Sequence, residues 1–217
     1  MAALRALDFA IIFVTTADLD EQAIASVRPL CANVICRENK GHDFGSWAAA
    51  HAKYGDQVHG LLLLANDSVY GPIGDLGAVV TQLLSQDADF FGLVESVDMA
   101  PHLQSWFLLF KPCAHRSEAF RSIWRLPFAD LSKRDIIERA EIGLSTALTQ
   151  AGFRYRAAFP ASRLGWLGRR HRCNLTHSLW RHLVQFGEVP FIKVELLRDN
   201  PIGVPDIREW RAVAGQI

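Results

Sequence analysis

The chain has 217 residues, of which 50% are hydrophobic and 21% charged, the balance of a folded protein with a buried core and not of a disordered chain. Lys and Arg number 23 and Asp and Glu 23, so the formal net charge is zero. A long basic face for nucleic-acid phosphates is thereby excluded, and any polyanion site must be local.

The apolar run at residues 9–14 predicts a first strand buried on both faces of a parallel sheet. The longest apolar stretches, such as this run and residues 61–65, fall far short of the roughly 18–20 residues that cross a membrane. Asp8, with no small-residue cleavage site before Asp18, argues against a secretion signal, so the sequence reads as cytosolic. Cys31, Cys36, Cys113 and Cys173 lack paired Cys-x-x-Cys spacing and read as reduced, packed thiols. A helix over 21–31, a strand at 33–37, a polar loop at 38–45, a helix over 46–54 and a strand at 61–65 complete a βαβ alternation. Such an alternation predicts a parallel sheet with ligands at the carboxyl ends of its strands. Further on, the patterning predicts helices over 73–85, 116–125, 132–151 and 175–186, strands at 90–94 and 104–110, and a loop with a short tail over 197–217.

Polar residues gather where the strands end. Asn39, Lys40, His42 and Asp43 share one turn with Gly41 and Gly45, glycines that permit close approach of a ligand. Amides at the next helix start favour phosphate oxygens, which makes this a candidate nucleotide loop; as geometry alone it is a helix cap made by Asp43 or Ser46. Asn66, Asp67 and Ser68 follow the third strand, where Asp67 can reach a metal ion or a sugar hydroxyl. Magnesium on a diphosphate needs only one or two protein carboxylates. The alternative is a turn serving geometry. His102, Gln104, Ser105 and Trp106 combine hydrogen-bonding groups with an aromatic plate, a set suited to a sugar ring.

Glu138 and Glu141 stand one helical turn apart and are expected on one helix face. Gly143 in the same helix costs roughly 1 kcal/mol against alanine, which points to close packing or access to a site. Arg169, Arg170, His171 and Arg172 form a basic run that can clamp a diphosphate, rest on an anionic membrane or face solvent.

Residues 39–47, 66–72, 102–107, 141–145 and 190–201, in this order, resemble the rhamnan synthesis protein F family, a bacterial group linked to rhamnosyl transfer in polysaccharide and lipopolysaccharide assembly. The resemblance covers most of the chain, residues 9–201. It implies an α/β fold, a single GT-A-like glycosyltransferase domain with a mostly parallel central sheet flanked by helices. The nucleotide-binding half would be about residues 1–98 and the acceptor half about 99–217.

It further implies inverting displacement, with Glu141 as base. Asp67, with or without Mg²⁺ or Mn²⁺, would hold the departing diphosphate together with Asn39, Lys40, Gly41, Asp43, Gly45, Asn66 and Ser68. His102, Gln104, Ser105 and Trp106 would contact donor sugar or acceptor. The implied donor is deoxythymidine diphosphate rhamnose (dTDP-rhamnose) and the acceptor a glycan or lipid-linked glycan, at the inner face of the membrane, with peripheral membrane contact or membership of a larger transferase assembly. The sequence departs from the usual pattern twice: Asn66 stands where a two-carboxylate motif has its first acid, and Ala140 where an acidic pair before the late helix has its first. A catalytically silent sugar-nucleotide or glycan-binding module assisting a partner transferase is the alternative.

Overall fold

In the computed structural model, which describes residues 1–165, 174–186 and 189–215, a short helix α1 (Ala2–Arg5) precedes a parallel pair, β1 (Ile12–Thr15) and β2 (Asn33–Cys36). Helix α2 (Glu21–Val27) makes the crossover between them and is capped by Asp20, whose carboxylate accepts from the Ala23 amide at 2.7 Å. Helix α3 (His42–Tyr54) follows, then β3 (Leu62–Ala65), the two-residue β4 (Val69–Tyr70) and α4 (Leu76–Leu84).

Among the described residues the main sheet has five strands, β3, β5 (Phe90–Ser96), β6 (His102–Leu103), β7 (Phe107–Phe110) and β8 (Tyr155–Phe159), in the order β3-β7-β5-β6 with β8 also paired to β5. The expected mostly parallel sheet is corrected here, because β7 pairs antiparallel with both β3 and β5, and β6 antiparallel with β5. The reason lies in the connection: Ser96 and His102 are joined by too few residues for the dozen or more that a parallel crossover requires. Strands β3, β5 and β8 still share one direction, with the returning strand between β3 and β5.

The single strand expected over 104–110 is broken. Leu103 faces Glu95 while Leu108 faces Gly92, so five steps on one strand oppose three on the other. The excess residues form a bulge at Gln104, Ser105 and Trp106, a device that re-aims side chains beside functional sites.

Pleating sends alternate residues of the sheet into two cores. Phe90 and Phe110 join Phe44, Trp47, Phe120, Leu144 and Leu148 on one face. Phe91 and Leu109 join Leu76, Leu83, Phe159 and Leu183 on the other. A third cluster, with Trp180, Val184, Ile192, Leu196, Ile207 and Val213, gives the C-terminal region its structure. The loop and tail expected there are replaced by helices at Val194–Arg198 and Trp210–Ala214, because Leu196 and Val213 are buried. A two-residue strand β9 (Ile192–Lys193) pairs antiparallel with β4. Cys31, Cys36 and Cys113 are free, but Cys36 and Cys113 are exposed, not packed as expected. The Arg169–Arg172 run and Cys173 lie outside the described residues.

Candidate functional site

The carboxyl ends of β3 and β5 and the bulge between β6 and β7 meet at one edge of the sheet, where Asn66 N donates to the Trp106 carbonyl at 3.3 Å. Five separate segments supply polar groups to the site: the start of α3, the turn after β3, residues 102–106, the helix that carries Glu141, and the strand that carries Lys193. Helix α3 begins at His42, earlier than the expected residue 46, because Gly41 takes the left-handed conformation at its N-cap with φ 77°. Asp43 therefore stands in the first helical turn, and its Oδ2 accepts from Asn66 Nδ2 at 2.8 Å. Asn66 Oδ1 in turn accepts from Ser68 N at 3.1 Å and Ser68 Oγ at 2.6 Å. Lys193 Nζ donates to Ser68 Oγ at 3.2 Å and lies 5.2 Å from the centroid of the Trp106 ring.

The second half of the site centres on Glu141. A helix beginning with α5 (Lys133–Ile136), capped by Ser132 and Asp135 in a reciprocal box, widens into a π-helical stretch at Ile137–Ile142 and continues as α6 (Gly143–Gln150). Glu141 lies in the π-helical stretch, a distortion often found at functional sites. Its Oε1 is 3.3 Å from His102 Nε2, and its Oε2 accepts from Ser105 Oγ. His102 Nδ1 donates to the Ala100 carbonyl at 2.7 Å, which fixes the ring. The expectation that Glu138 shares this face is corrected: Glu138 pairs with Arg134 at 2.6 Å on the outer surface. Regular α-helical spacing does not hold through the wider π turns.

Charge states follow from these contacts. Burial pushes the Glu141 carboxyl up, but hydrogen bonds from His102 and Ser105 and the charges of His102 and Lys193 outweigh it and hold Glu141 below the usual range. Burial pushes His102 down, and the Glu141 hydrogen bond and charge, with the Ala100 carbonyl and the Asp98 charge, more than restore it, so His102 lies above the ordinary imidazole value. Burial raises the Asp43 carboxyl, an effect opposed by the Asn66 hydrogen bond and reinforced by the Asp67 charge. Burial lowers the Lys193 ammonium to about 8, against the pull of Glu141, Asp43 and Glu195.

The remaining sequence candidates are placed differently. Asn39 and Lys40 are exposed, and Lys40 pairs with Glu38 at 2.7 Å. An added Cβ on Gly41 would meet Phe128 Cβ at 2.6 Å and one on Gly45 the Lys40 carbonyl at 2.3 Å, so both glycines serve protein packing. Arg37, which carries no motif in the sequence, braces this loop by donating to Ser46 Oγ at 3.1 Å and to the Lys40 carbonyl. Trp106 is buried, with Lys193 Nζ over its ring and Phe191 in a T-shaped contact at 5.8 Å between ring centroids, and its Nε1 donates to Gln104 Oε1 at 2.8 Å. Gly143 is not closely packed: an added Cβ would find its nearest atom at 3.7 Å, an ordinary contact. Ser145 accepts from the Leu103 amide at 3.2 Å and anchors β6.

Lys193 is the site residue that sequence reasoning does not find. It lies within the late segment at 190–201, but an isolated lysine in an apolar stretch gives no sign of the carboxylates it will meet. As to a divalent ion, exposed Asp67 lies close enough to Asp43 for their charges to repel, so the donor set reaches the minimum of one or two carboxylates. Among the described residues no cluster of three or more His, Cys, Asp or Glu is arranged as a metal site.

The architecture defines an α/β protein whose polar site, built on carboxylates and one partly buried lysine, lies at the carboxyl edge of its sheet. The chain belongs to the rhamnan synthesis protein F family, which matches residues 11–206, and this membership ties it to rhamnan and polysaccharide synthesis. It is also 30% identical over 207 residues to virulence protein VirA of Vibrio anguillarum strain ATCC 68554 / 775 and, to the same degree, to the protein of that name from Vibrio anguillarum. These matches cover 82% of this chain and 66% of the relatives, so the chain corresponds to slightly less than two thirds of their length. No solved structure matches. Among the described residues no helix is long and apolar enough to cross a membrane.

Proposed function

We propose that the chain is a GT-A-like glycosyltransferase that moves a sugar, rhamnose by its family, from a nucleoside diphosphate donor to a polysaccharide or lipopolysaccharide acceptor with inversion. The observation that carries this reading is Glu141: a carboxylate kept ionised by His102 and Ser105, at the sheet edge where sugar-nucleotide chemistry on an α/β fold belongs. An ionised carboxylate with lone pairs still free can accept a proton from an acceptor hydroxyl. In that step the hydroxyl oxygen bonds to the anomeric carbon and its proton passes to Glu141. The bond from that carbon to the diphosphate oxygen breaks, and its electron pair leaves with the nucleoside diphosphate.

Each neighbouring residue has a part. His102 and Ser105 position Glu141, with the His102 ring itself fixed by Ala100. The start of α3, which has no side-chain cap, directs backbone amides toward negative charge. Asp67, with Asp43 beside it, would hold a magnesium or manganese ion, whose chemistry is to neutralise diphosphate charge.

The test incubates the chain with dTDP-rhamnose and a rhamnan acceptor and measures dTDP release. Acceptor-dependent release supports the reading. Donor binding without release from any acceptor overturns transfer and leaves a silent sugar-nucleotide module; absence of donor binding overturns both.

A further inference from the structure

Lys193 occupies an unusual position for a lysine. Val69 faces it across the short β4–β9 ribbon, and Val194 N donates to the Ser68 carbonyl at 2.9 Å, so its backbone is fixed beside the Asn66–Ser68 turn. Among the described residues its ammonium has one hydrogen bond, to Ser68 Oγ at 3.2 Å, out of the three it can donate. The indole of Trp106 lies 5.2 Å away. Four titratable groups act on it or feel it: Glu141, Asp43, Glu195 and His177. The two site carboxylates are engaged elsewhere, Glu141 by His102 and Ser105 and Asp43 by Asn66. A largely buried cation with donor capacity to spare is thus held beside the Asn66–Ser68 turn and the Trp106 ring, within the field of Glu141, Asp43 and Glu195.

The geometry points to Lys193 as the protein's own counter-charge for the donor's diphosphate, placed so that diphosphate binding does not require a divalent ion. This rests on the nucleoside diphosphate reading above and adds to it a named anion-binding residue. The Nζ donors not used by Ser68 take phosphate oxygens, a charge-assisted contact, and the same ammonium faces the developing charge when the diphosphate leaves. Exposed Asp67 remains able to recruit an ion as a supplement. The depressed Lys193 ammonium is consistent with a cation whose full neutralisation awaits a ligand.

Calorimetric titration of dTDP and of inorganic diphosphate into the full chain, in excess EDTA and in excess Mg²⁺, tests this. Wild type is expected to bind both in EDTA. Lys193→Met is expected to lose affinity by about tenfold to a hundredfold there, the loss of one hydrogen bond to a charged group. Should the variant not fold, the wild type still decides: its affinity in EDTA must fall as pH rises above about 8, where Lys193 loses its proton. Wild-type binding only with Mg²⁺, a Lys193→Met variant that binds as tightly as wild type, or affinity unchanged from pH 7 to 10 would each overturn the role of Lys193 while leaving the nucleotide reading intact. Failure of folded wild type to bind under either condition would overturn both.

Discussion

Lys193 Nζ lies 3.2 Å from Ser68 Oγ across 125 residues of sequence. Through this contact the late segment is tied to the turn after β3, and the Lys193 ammonium feels carboxylates from both halves of the site, Asp43 and Glu141. Substitutions on either side of this lysine therefore have separable effects on turnover, stability and metal dependence.

Glu141→Gln is expected to keep the fold and donor affinity while lowering turnover by about 10²–10⁴-fold, the worth of a positioned general base. Glu138→Gln, which breaks only a surface pair with Arg134, is expected to leave turnover near wild type. The check is steady-state kinetics on both variants. The pH profile adds a sign: Glu141 sits below 4.5 in the folded chain, so its ionised form and the stability of its pairing are present above that value and are lost as pH falls through the lowered folded value.

Folding stability carries a second signature of Lys193. Its folded value, about 8, lies below the ordinary 10.5, so the unfolded chain binds more protons between them and stability rises with pH across that window. At 1.36 kcal/mol per unit the gain is up to about 3 kcal/mol. Burial raises Cys31 and Cys113 above their ordinary 9.0 and Tyr155 above its ordinary 10.0, so ionisation of these groups in the unfolded chain opposes part of the gain from about pH 9 upward. Denaturant melts from pH 8 to 10 are the measurement. Lys193→Met is expected to flatten the rise and to be more stable than wild type at pH 7.

Gly143→Ala is expected to stabilise the chain by up to about 1 kcal/mol, since the backbone is helical and the added methyl meets only ordinary contacts. Gly41→Ala is expected to destabilise it by more than about 1 kcal/mol, through a left-handed φ of 77° and a clash with Phe128. Thermal melts of the two variants should move in opposite directions.

Much of this arrangement is legible in the amino-acid sequence. The apolar run at 61–65 and the polar turn after it announce β3 and the sheet edge, and Asp43, Asn66, Ser68, His102, Gln104, Ser105, Trp106 and Glu141 all reach one connected region. What is not legible depends on three-dimensional closure. Antiparallel return into β7 is set by the short link after Ser96, the bulge at Gln104–Trp106 by register, and the outward turn of Glu138 by π-helical winding. The C-terminal helices are hidden because Ile207, Trp210 and Val213, though three residues apart, span only about two turns, and they gain their apolar partners only in the third core. Lys193 is hidden for the same reason: its carboxylate neighbours come from segments far away along the chain.

Asp67→Asn is expected to weaken dTDP binding in Mg²⁺ and to leave binding in EDTA nearly unchanged, because in the proposed arrangement the exposed Asp67 carboxylate would serve an added ion and Lys193, hydrogen-bonded to Ser68, would serve the diphosphate directly. Paired titrations with and without Mg²⁺ check this, and equal affinities for variant and wild type in Mg²⁺ would return Asp67 to a turn-forming role.

The most direct measurement of the central claim is a calorimetric titration of dTDP-rhamnose into the folded chain, followed by displacement with dTDP. Saturable heat that dTDP abolishes, with a rise in melting temperature at saturating donor, is the predicted result. A folded chain that gives neither heat nor thermal shift with dTDP-rhamnose or any other nucleoside diphosphate sugar would contradict the account.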